Sequence, residues 1–181
     1  MRVVAGRLGG RRLHAPPGRG TRPTSDRIRE ALFSTLGPLD GARVLDLFAG
    51  SGALGIEALS RGALHAVLVE RDPRAAATIR RNLTELGLGA DEATLVVAPV
   101  RAALRDASLR GDTYDLVLLD PPYRSAPGLG RELTEALEPL LRAGARVVTE
   151  SDHRAPLALE LPVTHERRYS DTLIRIHAHG T

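Results

Sequence analysis

A chain of 181 residues, 43% hydrophobic and 26% charged, has the size and composition of one globular domain with a real core. It contains no cysteine, which excludes disulfides and thiolate metal sites, and no apolar run approaches the ~20 residues that span a bilayer. The net charge of +3 is uneven: residues 1–30 hold eight arginines against Asp26 and Glu30 alone, and lysine is absent throughout.

The start, Met1 to Gly6, lacks the apolar stretch of a secretory signal, so a cytoplasmic protein is expected, with no membrane partner. Val3–Leu8 and Arg11–His14 are β-compatible runs flanking Gly9-Gly10, which predicts a hairpin with a tight primed turn, docked on the domain or ordered by a partner. Ala15–Pro23 is too rich in proline and glycine for regular structure and reads as a linker. Residues 1–23 are therefore expected to form a basic arm, and residues 24–181 the main domain. Such an arm suits a polyphosphate partner, through counterion release and steering.

Thr24 or Ser25 can cap a helix from Asp26, in which Ile28, Leu32, Phe33 and Leu36 recur at helical spacing before Gly37-Pro38. Strand then alternates with helix. Strands are predicted at 44–48, 66–70, 94–97, 114–119 and 145–150. The intervening helices are predicted at 53–61, 73–86, 100–107 and 130–142. The end changes character, with 163–169 and 173–177 reading as paired strands. The fold expected is α/β and Rossmann-like: a mostly parallel seven-stranded sheet, helices on both faces, and an antiparallel edge strand.

Gly50-Ser51-Gly52-Ala53-Leu54-Gly55 is a G-x-G-x-x-G between a strand and a helix, where glycines permit a tight turn and close backbone approach to a ligand. Taken alone it suits a nicotinamide or flavin as well as S-adenosylmethionine, and Glu70 could accept from ribose hydroxyls in either case. Two features favour S-adenosylmethionine. Asp46 would be unwelcome beside a pyrophosphate but can face a cationic amino acid moiety. The second is Asp120-Pro121-Pro122-Tyr123, which follows the fourth strand on the ligand-binding side of such sheets.

That tetrapeptide suits an exocyclic base amine, whose lone pair is delocalised into the ring. The Asp120 carboxylate and Pro121 carbonyl can bind its N–H groups, Pro122 stiffens the turn, and Tyr123 can stack on the base. Catalysis would then be mostly positioning, with electrostatics second. The six histidines are scattered, apart from His177 and His179 on a presumed edge strand, so no metal is expected.

Asp46-Leu47-Phe48-Ala49-Gly50-Ser51-Gly52 with Asp120-Pro121-Pro122-Tyr123 resembles class I methyltransferases that modify nucleobase amino groups. The segment Arg22-Pro23-Thr24-Ser25-Asp26-Arg27-Ile28-Arg29-Glu30, after the arginine hairpin, is similar to the bacterial 16S rRNA guanine-N2 methyltransferases of the RsmD type. The resemblance implies a 16S rRNA or assembling small-subunit substrate and methylation at guanine N2. It also implies that Gly50, Ser51 and Gly52 line the methionine part of S-adenosylmethionine and that Glu70 holds the ribose. Asp46, Phe48, Ala49 and Asp120 complete that cofactor set. Such enzymes often place an acid or amide against the adenine where this chain has Ala98-Pro99-Val100, so Arg71 and Val100 are expected at that end. The RNA side is expected to use Arg7, Arg11, Arg12, Arg22, Thr24 and Arg124. The alternatives are an adenine-N6 methyltransferase on RNA or DNA, and a non-catalytic RNA-binding assembly factor of the same fold.

Overall fold

The structure, a computed structural model, describes residues 1–17, 25–121 and 129–180. Helix α1 (Asp26–Leu36) opens on Ser25, whose hydroxyl accepts from the Ile28 amide; Thr24, the other cap candidate, lies outside the described residues. Strand β1 (Arg43–Leu47), helix α2 (Ala53–Ser60), strand β2 (His65–Glu70) and helix α3 (Pro73–Leu86) follow. Asp72 caps α3, and Pro73 begins it, where a missing N–H costs nothing. Strand β3 (Ala93–Val97), helix α4 (Val100–Arg110), strand β4 (Tyr114–Leu119) and helix α5 (Leu129–Leu137) complete the alternating part. Strands β5 (Leu141–Asp152), β6 (Val163–Tyr169) and β7 (Thr172–Ala178) close the chain.

One sheet contains all seven strands in the order β3-β2-β1-β4-β5-β7-β6. β1 to β5 pair in parallel, and β7 pairs antiparallel with both β5 and β6, giving the expected antiparallel edge. Side chains alternate along each strand. Val44, Leu68, Leu116 and Leu118 join one apolar layer with residues of α1, α2 and α3. Leu45, Leu47, Val69, Val117 and Leu119 join a second with residues of α4 and α5.

Three expectations need correction. The helix expected over 130–142 ends at Leu137, passes through a 3-10 turn at Glu138–Leu140, and gives way to β5 at Leu141. Pro139 is the cause, because its ring removes the N–H that would continue the α-helical ladder and crowds the preceding turn. His177 is not on an edge: β7 lies between β5 and β6, and His177 is buried, its Nδ1 3.1 Å from the Leu161 carbonyl. The third concerns the N-terminal hairpin. It has a single bridge, Arg2 to Arg12, and its chain reversal is a broad loop rather than a two-residue Gly9-Gly10 turn.

The loop is broad because the main domain captures its backbone. The buried Glu57 carboxylate of α2 accepts from the amides of Val4 (2.7 Å) and Ala5 (3.0 Å). The Ser60 hydroxyl accepts from Leu8 at 2.9 Å and donates to the Ala5 carbonyl, while the Ser60 carbonyl accepts from Arg7 at 2.8 Å. Amides held by a helix cannot also form a β ladder. Val3, Leu8 and Leu13 are buried in the layer shared with α1, α2 and α3.

Candidate active site

Sheet order reverses beside β1, whose neighbours are β2 and β4, and ligands of open α/β sheets bind at the carboxyl ends of strands at such a point. Val69, Leu47, Leu119 and Thr149 form the last shared row across β2, β1, β4 and β5. Glu70, Phe48, Asp120 and Glu150 follow directly after it. Strand alternation puts Asp46, Glu70, Asp120 and Glu150 towards the layer that α2 and α3 cover. Four carboxyl groups thus gather at one end of the sheet.

The loop between β1 and α2 carries three residues in the left-handed region: Phe48 (φ 66°), Gly50 (φ 58°) and Gly52 (φ 78°). Glycine adopts it freely, whereas Phe48 holds it at a cost of order 1–3 kcal/mol. Several contacts fix this backbone. The Ala49 amide donates to the Val69 carbonyl and the Gly52 amide to the Ala49 carbonyl. Glu70 accepts from the amides of Gly50 and Asp72, each at 2.8 Å. Asp46, 1% exposed, accepts from the Gly55 amide at 2.9 Å. Gly55 has no room for a side chain, since a Cβ would come within 2.6 Å of Leu68 and 3.2 Å of the Asp46 carboxylate. Among the described residues, a Cβ at Gly50 would meet nothing closer than the Phe48 carbonyl oxygen at 3.9 Å.

Burial dominates the electrostatics of this carboxylate cluster. Burial pushes the Asp46 carboxyl up to about 7, the Gly55 amide opposes this, and Glu70 adds to the rise. Asp120 is raised well above the usual carboxylate range by burial first, then by Glu150 and Asp46. A cationic ligand would lower both and restore the carboxylates.

The sequence-predicted residues divide accordingly. Asp46, Phe48, Ala49, Gly50, Ser51, Gly52, Glu70, Asp120 and Pro121 lie at or directly beyond the carboxyl ends of β1, β2 and β4. Arg71 is exposed just after β2, and Val100, half-buried, opens α4 after β3 on the same edge of the sheet. Pro122, Tyr123, Arg124, Arg22 and Thr24 lie outside the described residues. Arg7 pairs with Glu92, Arg11 donates to the Glu85 carbonyl at 2.7 Å, and Arg12 is exposed with no ion pair among the described residues. Among the described residues no group of three or more His, Asp or Glu is placed to hold a metal ion, and no helix is long and apolar enough to cross a membrane.

Comparison with known proteins supplies the kinship. The family model described as Conserved hypothetical protein 95 matches residues 1–177. The chain belongs to that family. Its relatives include "Putative rRNA methyltransferase YlbH" of Bacillus subtilis, 40% identical over 98% of both chains. Another is "Ribosomal RNA small subunit methyltransferase D" of Escherichia coli, 41% identical over 76% of this chain and 67% of the relative. Among solved structures, "Putative methyltransferase yhhF from Escherichia coli" superposes with a TM-score of 0.84 at 34% identity, covering 100% of this chain and 98% of the other. The fold of this family member is that of class I methyltransferases, as the sequence resemblance implied.

Three residues of this Conserved hypothetical protein 95 member were missed by the sequence reading. Glu150 ends up beside Asp120 because β5 pairs with β4, and its place at a strand's carboxyl end was the available signal. Glu57 and Asn82 lie inside helices and looked like ordinary helix-surface residues, yet they are 0% and 1% exposed. No local pattern marks them, because their partners are distant in sequence.

Proposed function

We propose that this chain transfers a methyl group from S-adenosylmethionine to the exocyclic N2 amine of a guanine in 16S rRNA, in the cytoplasm. The observation that carries the reading is the placement of Asp120 one residue beyond β4, next to the glycine loop of β1. The kinship with small-subunit rRNA methyltransferases supports the substrate class.

The donor set fits the cofactor. A cationic ligand would offset the burial that raises the Asp46 and Asp120 carboxyls, no described residue crowds Gly50, and the Glu70 carboxylate stands where ribose hydroxyls could donate to it. Gly50, Ser51 and Gly52 would hold the methionine part, Asp46, Phe48 and Ala49 would brace it, and Arg71 and Val100 would border the adenine. The cofactor supplies an electrophilic methyl group on a sulfonium.

The chain's own residues do the rest. Asp120, ionised once positive charge neutralises the pocket, accepts an N–H of the target amine, and the Pro121 carbonyl accepts the other. Both acceptors hold the nitrogen with its lone pair aimed along the displacement line, and Tyr123 stacks on a base flipped out of its helix. Specificity would come from RNA shape, with arginines of the N-terminal hairpin adding sequence-blind, salt-dependent affinity.

Incubation with methyl-labelled S-adenosylmethionine and 16S rRNA, free or within small subunits, followed by nucleotide mapping, tests the assignment. Label at guanine N2 is expected. Label at adenine N6 overturns the base assignment, and no label on either substrate leaves a non-catalytic assembly factor.

A further inference from the structure

The N-terminal hairpin and the cofactor loop share a side chain. Asn82, in the last turns of α3, uses its whole amide group: Oδ1 accepts from the His14 amide at 2.8 Å, and Nδ2 donates to the His14 carbonyl at 3.1 Å and to the Ser51 carbonyl at 2.9 Å. His14 is where the hairpin ends and Ser51 is the centre of the glycine loop. A second contact runs alongside, since the Ser51 hydroxyl lies 3.3 Å from the Met1 sulfur. The hairpin's other end is clamped to α2, the helix that the glycine loop begins, by Glu57 and Ser60.

We propose that Asn82 is a positioning residue for the cofactor loop, and that through it the docked hairpin sets cofactor affinity. Ser51 is 8% exposed, so its carbonyl needs an internal partner, and Asn82 is that partner. The peptide following that carbonyl leads into Gly52, in the left-handed region, so the hydrogen bond selects one orientation of a backbone with several available. Asn82 can hold Ser51 in place only while its own amide plane is held, and the two bonds to His14 do that. Hairpin docking and loop geometry are therefore one equilibrium. Coupling is reciprocal, so a nucleic acid that tightens the hairpin tightens cofactor binding by the same factor. This consequence rests on the RNA-methylating reading above, while the link between hairpin and loop needs only cofactor binding.

The test is calorimetric titration of S-adenosylmethionine into the full chain and its Asn82→Ala and Gly6→Ala variants, below their unfolding transitions. Gly6 is remote from the loop, but a Cβ there would lie 1.9 Å from the Ser60 carbonyl oxygen, so the substitution lifts the hairpin. Asn82→Ala should weaken binding roughly ten-fold and Gly6→Ala about five-fold, with the double variant weaker by less than the product. A merely structural Asn82 would lower the unfolding temperature and leave the cofactor Kd unchanged, which overturns the proposal. Hydrogen exchange on the unaltered chain covers the case of a variant that does not fold. Cofactor should slow exchange at the Val4, Ala5 and His14 amides about ten-fold more than at β6 and β7, and equal slowing overturns the coupling. If the unaltered chain binds no S-adenosylmethionine, the proposed function falls along with the coupling. If it binds and the variants match it, only the coupling falls.

Discussion

Asp46 and Asp120 show how one residue type takes a different character from its surroundings. Asp46 is enclosed, held by the Gly55 amide, and raised to about 7 from 3.8. The folded chain thus retains a proton that the unfolded chain releases above about pH 4. Its contribution to stability is present at low pH and is lost as pH rises through about 7. The unliganded protein should therefore melt at falling temperature from about pH 4 to about pH 7, and Asp46→Asn should flatten that trend in thermal scans. A cationic ligand favours the ionised form, so S-adenosylmethionine affinity should rise over the same interval in the parent and far less in Asp46→Asn. Asp120 stands one residue beyond β4, beside Glu150, and burial and that neighbour raise its carboxyl. Asp120→Ala should keep cofactor affinity within a few-fold while kcat for methyl transfer falls by about 100-fold or more. Near-normal turnover would remove Asp120 from the reaction.

At the level of elements, two helices make close backbone approaches at positions where glycine leaves room. α2 approaches β1 and β2 through Gly55, and this brings Asp46 within reach of a helix amide. On the other face Gly130 of α5 lies against the segment before β6, where a Cβ would be 1.7 Å from the Ala158 carbonyl oxygen. Thr134 reinforces that contact by accepting from the Glu160 amide at 3.0 Å. Gly130→Ala should cost about 1–3 kcal/mol in denaturant unfolding, because backbone must move. Gly89→Ala, at an exposed glycine with nothing within 4 Å, should stay within about 0.5 kcal/mol. Equal effects would show that α5 yields more easily than its packing implies.

For the whole molecule, the N-terminal hairpin is a docked part of the core layer, through Val3, Leu8 and Leu13, and this changes which of its arginines are available. Arg7 is engaged by Glu92 and Arg11 by the Glu85 carbonyl, whereas Arg12 is exposed without an ion pair among the described residues. If the hairpin binds rRNA, Arg12→Ala should reduce the slope of log affinity against log salt by about 1. Arg7→Ala should reduce it less, since Glu92 already neutralises that guanidinium. Filter binding across a salt series measures both, and an unchanged slope in Arg12→Ala would take this residue out of the RNA contact.

Element types, their order and the glycine loop were legible in the chain because each is encoded over a few neighbouring residues. Strand and helix periods, the Ser25 cap, and the spacing of Gly50, Gly52 and Gly55 are all local. The motif residues Asp46, Glu70 and Asp120 could be named for the same reason, each standing at the end of a recognisable strand. Contacts between distant segments were not legible. Pairing of β5 with β4 brings Glu150 to Asp120, insertion of β7 between β5 and β6 buries His177, and Glu57 draws the Val4 and Ala5 amides out of a hairpin ladder. Asn82 joins His14 to Ser51 across 68 and 31 residues of chain. A buried polar group must find partners wherever the fold supplies them, and no short stretch of sequence records where that will be.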